Sequence, residues 1–269
     1  MLNNNYLNIR YISAILFFIL IQVACKINSE SEWIDLIVNN SLEGWHIFQD
    51  DGKKGGWEVK NNIVKFVGIS DMESGKGDAS LISDKIYHNF EIKFDWKVIE
   101  GANSGFMWGV YEDKKYKYPY QTGPEIQILD PYVYKNYKSV LGGEIEENNI
   151  LIDIEERKHF VGSLYDLSAP SKKMIVKSSD EWNSYHIIIN YNKNLGRVIL
   201  NDILINVFSL KGQKWDSMIR RSKFSKSEDY EYLGDSRWYD FGKFHKGKIC
   251  FQDHPGEVSF RNIKIKEIK

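Results

Sequence analysis

Alanine is nearly missing: the 269 residues hold five, Ala14, Ala24, Ala79, Ala102 and Ala169. A chain so poor in the best helix former is a weak candidate for a helical bundle. Charge of one sign is missing too, since 36 Lys and Arg face 37 Asp and Glu for a net charge of −1, and the basic residues are dispersed. That pattern excludes the clustered positive surface of a nucleic-acid-binding protein. Cysteine is limited to Cys25 and Cys250, too few for a disulfide framework. No repeat of fixed period is present, which argues against a propeller or barrel.

What the chain has in plenty is aromatic side chains, 16 Tyr, 14 Phe and 8 Trp, among many segments rich in Ile and Val. These residues suit a pleated, half-buried surface. With 42% hydrophobic and 27% charged residues, the chain can bury a real core and is not disordered in composition. The clearest segment runs from Phe90 to Val98 and alternates apolar and charged residues at every step, the pattern of a strand with one dry and one wet face. Further strands are expected at Trp57 to Val67, Gly105 to Tyr111, Glu125 to Leu129, Tyr185 to Tyr191, Arg197 to Leu200, Lys248 to Gln252 and Val258 to Ile265. Asn201-Asp202 is expected to form a tight hairpin turn. About ten strands and no long amphipathic helix predict an all-β fold, a two-sheet antiparallel sandwich of the jelly-roll kind. Two stretches, Pro131 to Lys158 and Lys211 to Lys246, break the spacing, and insertions of that length in a compact β domain either lie over a functional face or are variable surface decoration, the two readings standing level.

At the N terminus, Arg10 precedes an apolar run from Tyr11 to Ala24, too short to span a bilayer comfortably and suited to the h-region of a secretory signal. Val23-Ala24-Cys25 is similar to the end of a bacterial lipoprotein signal, with Gln22 where an aliphatic residue is usual. Residues 1–24 are therefore expected to be a signal peptide, Cys25 the lipidated first residue of the mature chain, 25–32 a tether and 33–269 the folded domain. The expected location is the bacterial cell envelope, membrane-anchored through the lipid, in the periplasm or on the outer-membrane surface. Glu30 and Glu32 are in keeping with surface export. Cys250, in an alternating strand, reads as a small buried hydrophobe.

Three segments carry candidate chemistry. In Gln121 to Asp130, Glu125 and Gln127 point to one face of a strand and Ile126 and Ile128 to the other, with Asp130 at its end. A carboxylate beside a carboxamide on a strand whose other face is apolar suits the floor of a sugar-binding sandwich, and suits an ordinary solvated face equally. His159 to Leu167 supplies an imidazole, a phenol (Tyr165) and a carboxylate close together, although a lone His is more often structural. Gly247 to Ile265 reads as a hairpin whose turn holds Asp253 and His254 and whose return strand holds Arg261. Asp253 either orients His254 or caps the turn, and Pro255-Gly256 is turn chemistry in both cases.

Taken with Gly44-Trp45, Asn103-Ser104-Gly105 and Glu181-Trp182-Asn183, these segments resemble, in content and order, the 3-keto-disaccharide hydrolase domain family of the concanavalin A-like lectin/glucanase superfamily. The resemblance runs from about Trp33 to the C terminus; where the family often has Arg after Asn-Ser-Gly, this chain reads Trp108-Gly109. It implies two stacked antiparallel sheets, a carbohydrate substrate, and hydrolase or lyase action on glycosides oxidised to a ketone at C3. Such a ketone acidifies the C2 proton, so a base removes it and the C1 oxygen leaves by β-elimination, after which water can add. On that reading Glu125, His159 and His254 are candidate proton-transfer groups, Gln127 and Arg261 donors to the developing oxyanion, Asp130, Asp253 and Tyr165 positioning residues, and Asn103 a substrate contact. Glu125 and Arg261 are expected in one sheet, with both histidines bordering the same groove. A divalent metal can replace Arg261 as electrophile, but no spacing such as His-Glu-x-x-His selects an ion.

Two other readings compete. A laminarinase-type endoglucanase carries Glu-x-Asp-x-x-Glu, where this chain has Glu125, Gln127 and Asp130, and its retaining mechanism needs two carboxyl groups about 5 Å apart. A non-catalytic carbohydrate-binding lipoprotein is the other, since aromatic richness serves a sugar platform as well as a core.

Overall fold

The computed structural model describes residues 31–49, 56–68, 79–131, 157–171, 174–226, 234, 236–254 and 256–269. The segment expected to be a signal peptide, Cys25 with its expected lipidation, and residues 132–156 of the first insertion lie outside that range, as does Pro255.

Thirteen described strands form two antiparallel sheets. The larger joins, in spatial order, β11 (Ile203–Phe208), β10 (Leu195–Leu200), β9 (Asn183–Asn190), β6 (Phe90–Val98), β13 (Val258–Glu267), β4 (Ile63–Phe66) and β3 (Trp57–Lys60), with β1 (Ile34–Asp35) pairing with β13. The smaller is ordered β2 (Trp45–Ile47), β5 (Leu81–Ser83), β12 (Lys248–Phe251), β7 (Asn103–Val110) and β8 (Glu125–Leu129). The two-sheet, all-β architecture expected from the sequence is present.

Strand β6 shows why. Phe90, Ile92, Phe94, Trp96 and Val98 are buried, while the charged residues between them point outward. Phe94 reaches across the sandwich, its ring 5.6 Å from Phe106 and 5.2 Å from Phe251, and also meets Phe260 of its own sheet at 5.9 Å. Each such ring contributes roughly 1.5–3 kcal/mol by leaving water, plus edge-to-face attraction between neighbours. Ile126 and Ile128 of β8 point into this core and are fully buried.

Several local expectations are refined. Trp57 to Val67 is a hairpin, β3 and β4, because Asn61 and Asn62 take positive φ of 53° and 56° and turn the chain. The turn at Asn201-Asp202 is present, with φ of 47° and 66°. The second insertion carries a short helix, α1 (Gly212–Arg220), held by buried Trp215. Cys250 is buried and free, but it sits in a second, smaller apolar cluster with Phe48, Ile82, Met107 and Tyr116. Trp108, which stands where the family often has an arginine, points into the core and donates from Nε1 to Tyr191 Oη at 3.1 Å.

Candidate active site

The outward residues of β12, β7 and β8, three neighbouring strands, make the floor of a pocket. Gln252 and His254 come from the end of β12, Asn103 from β7, and Glu125 and Gln127 from β8. Gly105 of β7 leaves the space that Glu125 fills. The cavity measures about 180 Å³, and its walls are Tyr120, Tyr165, Lys223, Phe224, Trp238 and Phe241. The apolar partners of Glu125 and Gln127 along β8 fix this orientation, because Ile126 and Ile128 can be buried only if the alternate residues face out.

A chain of amides joins the two titratable floor residues. With its nitrogen turned toward the surrounding acceptors, the Gln127 carboxamide donates to Glu125 Oε1 (3.2 Å), Asn103 Oδ1 (3.3 Å) and the Ser104 carbonyl (2.9 Å). This orientation satisfies the neighbours on both sides. Asn103 Nδ2 in turn lies 3.3 Å from His254 Nε2. An amide nitrogen can only donate, so Nε2 accepts, and the proton of the neutral ring resides on Nδ1, which is buried without a partner among the described residues.

Burial sets the charges. It pushes the Glu125 carboxyl up from 4.5 to about 7, even though attraction to Lys223 works the other way. Glu125 is half-buried and lines the cavity, with protein around the rest of its side chain. Burial lowers the Lys223 pKa against the pull of Glu125 and Asp166. It also lowers that of His254, keeping the ring neutral.

The wall is pinned to the floor by specific bonds. Asp166 accepts from the Lys223 backbone N–H at 2.6 Å and from His159 Nε2 at 3.0 Å. Burial alone would raise its carboxyl, but these two donors outweigh that and hold it below the usual range. Gln121 donates from Nε2 to the Arg237 carbonyl at 3.1 Å, and the Gly242 N–H donates to the Thr122 carbonyl at 2.9 Å. Phe224 and Phe241 stack at 3.6 Å, with Trp238 edge-on to Phe224 at 5.0 Å.

Of the residues singled out from sequence, Asn103, Glu125, Gln127, Tyr165 and His254 line one pocket. Four do not. Arg261 belongs to β13 of the other sheet, where it pairs with Asp95 at 3.0 Å and stacks on Trp182 at 4.1 Å; alternation gives a residue's face but not its sheet. Asp130 is fully buried, accepting from the Gly101 N–H (2.7 Å) and Ser179 Oγ (3.0 Å). Asp253 is buried and accepts from Ser80 Oγ at 2.6 Å instead of orienting His254. His159 stands behind Tyr165, their ring centroids 5.0 Å apart, and is tied to Asp166 without lining the cavity. Lys223, Tyr120 and Gln252 were not legible as site residues; Lys223 lies in a basic stretch, Arg220 to Lys226, that looks like a solvated surface. Among the described residues no three His, Cys, Asp or Glu side chains gather as a metal site.

Fold and pocket together define a two-sheet antiparallel jelly-roll sandwich with a cleft, carrying Glu125 and His254, on the outer face of its smaller sheet. The chain belongs to the family described as the 3-keto-alpha-glucoside-1,2-lyase-like domain, whose profile matches residues 32–266. It is 29% identical over 248 residues to the 3-keto-disaccharide hydrolase of Bacteroides thetaiotaomicron, covering 87% of this chain and 78% of that protein. The crystal structure of a candidate glycosyl hydrolase from Parabacteroides distasonis superposes with a TM-score of 0.67 at 28% identity, over 88% of this chain and 94% of the other. A second from the same organism, at 21% identity and a TM-score of 0.57 over 88% and 100%, shares the fold.

Proposed function

We propose that this protein cleaves glycosides carrying a ketone at C3, by removing the C2 proton and expelling the C1 substituent. The observation that carries the reading is Glu125, a carboxyl group held near pKa 7 on the floor of a pocket walled by aromatic rings. A base whose pKa matches neutral pH combines useful basicity with a large ionised fraction. A sugar-binding site can also use a carboxylate as an acceptor for hydroxyl groups, so it is the near-neutral pKa together with family membership that favours catalysis. In this scheme the Glu125 carboxylate takes the C2 proton, and the C2–H pair moves in to make an enolate. Collapse of the enolate breaks the C1–O bond, and the proton now on Glu125 goes to the departing oxygen. The ketone conjugated with the new C1–C2 double bond is then released, or water adds at C1. Neutral His254 suits that second step once water displaces Asn103 Nδ2 from its Nε2, which then takes a proton from that water and returns it to C2.

Family membership and the relative named for 3-keto-disaccharide hydrolysis support this substrate class. A two-carboxylate retaining mechanism is disfavoured, since Glu125 is the only carboxylate among the described lining residues and Asp130 is turned into the core. The deciding experiment offers the purified protein methyl 3-keto-glucoside and unmodified disaccharides and follows aglycone release. Cleavage of the keto compound alone is expected; cleavage only of unmodified disaccharides, or of neither, overturns the reading. From the sequence of its N terminus we also propose that Cys25 carries lipid and anchors the protein in the cell envelope.

A further inference from the structure

The scheme above leaves one requirement open: negative charge builds on the C3 oxygen as the C2 proton departs, and something must hold it. Arg261, expected in that role from the sequence, is in the other sheet. We propose that Lys223 is the electrophile of this pocket, its ammonium group donating to the C3 oxygen as the enolate forms. This assignment rests on the 3-keto-glycoside reading and deepens it.

The geometry is that of a cation placed for a partner the protein itself does not supply. Lys223 Nζ lies 4.4 Å from the ring centroid of Tyr165, 5.5 Å from that of Phe224 and 5.7 Å from that of Trp238. These rings line the same cavity as Glu125. Ring faces stabilise a positive charge without consuming its N–H donors. Among the described residues the ammonium has no hydrogen bond and no ion pair, so its donors are open toward the cavity. Lys223 is half-buried, and its ammonium stands among three rings of the cavity with N–H donors that a bound ligand can engage. Its backbone is fixed by the 2.6 Å bond to Asp166, so the ammonium is presented from a pinned turn.

The charged groups acting on Lys223 are Glu125 and Asp166, with the Tyr165 ring under its ammonium, and their arrangement divides the work. Glu125 lies on the floor and Lys223 on the wall, so a sugar ring between them can offer C2–H to one and O3 to the other. In the first step the C2–H bond breaks, the proton goes to Glu125, and the carbonyl π pair moves onto O3 facing the ammonium. In the second, the O3 charge returns to re-form the ketone as the C1–O bond breaks. Lys223 neither gains nor loses a proton over the cycle.

The test compares wild type with Lys223→Met and Lys223→Arg on methyl 3-keto-glucoside, with C2 hydrogen exchange in D₂O read alongside product release. Loss of an oxyanion donor is expected to lower kcat for Lys223→Met by about 10²–10³-fold with KM nearly unchanged, and to slow C2 exchange equally. Lys223→Arg should recover part of the rate. The acid limb of kcat/KM should also move to higher pH in Lys223→Met, because Glu125 loses the one attraction that lowers its pKa, whereas Lys223→Arg, which keeps the charge, should leave that limb in place. An active wild type with kcat unchanged in Lys223→Met overturns the assignment alone. A rise in KM at constant kcat overturns it in favour of a lysine that binds a ground-state anion. Borohydride trapping of substrate on Lys223 overturns it in favour of an imine. A wild type inactive on the keto-glycoside removes the substrate reading, and this inference with it.

Discussion

A methyl group added at Gly105 would stand 2.0 Å from Oε1 of Glu125, so the carboxyl group of β8 rests on the bare backbone of β7. The atoms in the way are the far end of a flexible side chain, and the fold can yield there while the site cannot. Gly105→Ala is therefore expected to lower kcat by about 10–10²-fold, since small misplacements of a catalytic group are expensive. Its melting temperature should stay within a few degrees of wild type. A kinetic assay with a thermal melt checks both, and unchanged kcat would show that Glu125 need not rest where it does.

His159 and Asp166 differ in what they touch, and the difference should be measurable. Asp166 holds the backbone of Lys223 through one carboxylate oxygen, whereas the His159 imidazole bonds the other. Asp166→Ala is expected to reduce turnover at least tenfold more than His159→Ala, because it frees the turn that presents the wall. Equal losses, or a larger one for His159, would return the imidazole to a direct role.

Arg261→Ala should leave kcat within about twofold of wild type and lower stability by about 1 kcal/mol or less, as for a half-exposed ion pair. The arginine touches Asp95 and Trp182 on the outer face of the larger sheet. Parallel kinetics and urea melts test the point, and a large kinetic loss would mean that the two sheets are coupled.

These cases mark how far the sequence could be read. Alternation in Phe90–Val98 and Glu125–Leu129 was enough to orient every side chain on those strands, because period-two patterning is a direct consequence of burying one face. It also put Glu125 and Gln127 on a common floor. It was silent on strand order, so Arg261 and Glu125, each on an outward face, could be assigned to one sheet when they belong to two. The family signatures mislead in a similar way. Asp130, Asp253 and Asn183 are polar and buried, and each is occupied with backbone or hydroxyl groups of the scaffold. Lys223 was illegible because its function comes from three rings brought to it by the fold, two of them, Tyr165 and Trp238, distant in sequence, and no local pattern records that.

The proposed lipid anchor makes a separate claim on Cys25. If the sequence signal is used, mass spectrometry of membrane-extracted protein should find the mature chain beginning at Cys25 with acyl chains attached, and Cys25→Ser should release the protein from the membrane fraction. A mature chain with a free Cys25 thiol in membrane-free material would rule it out.

The last prediction concerns what Glu125 costs the fold. Its carboxyl rises from 4.5 to about 7 because burial disfavours the charged form. The folded protein therefore binds the Glu125 proton more tightly than the unfolded chain does. The stability this confers is fully present below pH 4.5 and is lost as pH climbs through 7. A change of that size corresponds to at most about 3 kcal/mol, a substantial share of the stability of an ordinary domain. Glu125→Gln keeps the shape and removes the charge, so wild type and variant should melt together near pH 4. Above pH 7 the variant should melt higher, by about 2–4 °C for each kcal/mol. The same variant should lose about 10²–10⁴-fold in turnover, gaining stability at the pH where it loses activity. Melting curves at pH 4, 6 and 8 beside rates at each pH test the linkage. A Glu125→Gln variant no more stable than wild type at pH 8 would mean that the carboxyl titrates in its ordinary range, and the basis for making it the base at neutral pH would be gone.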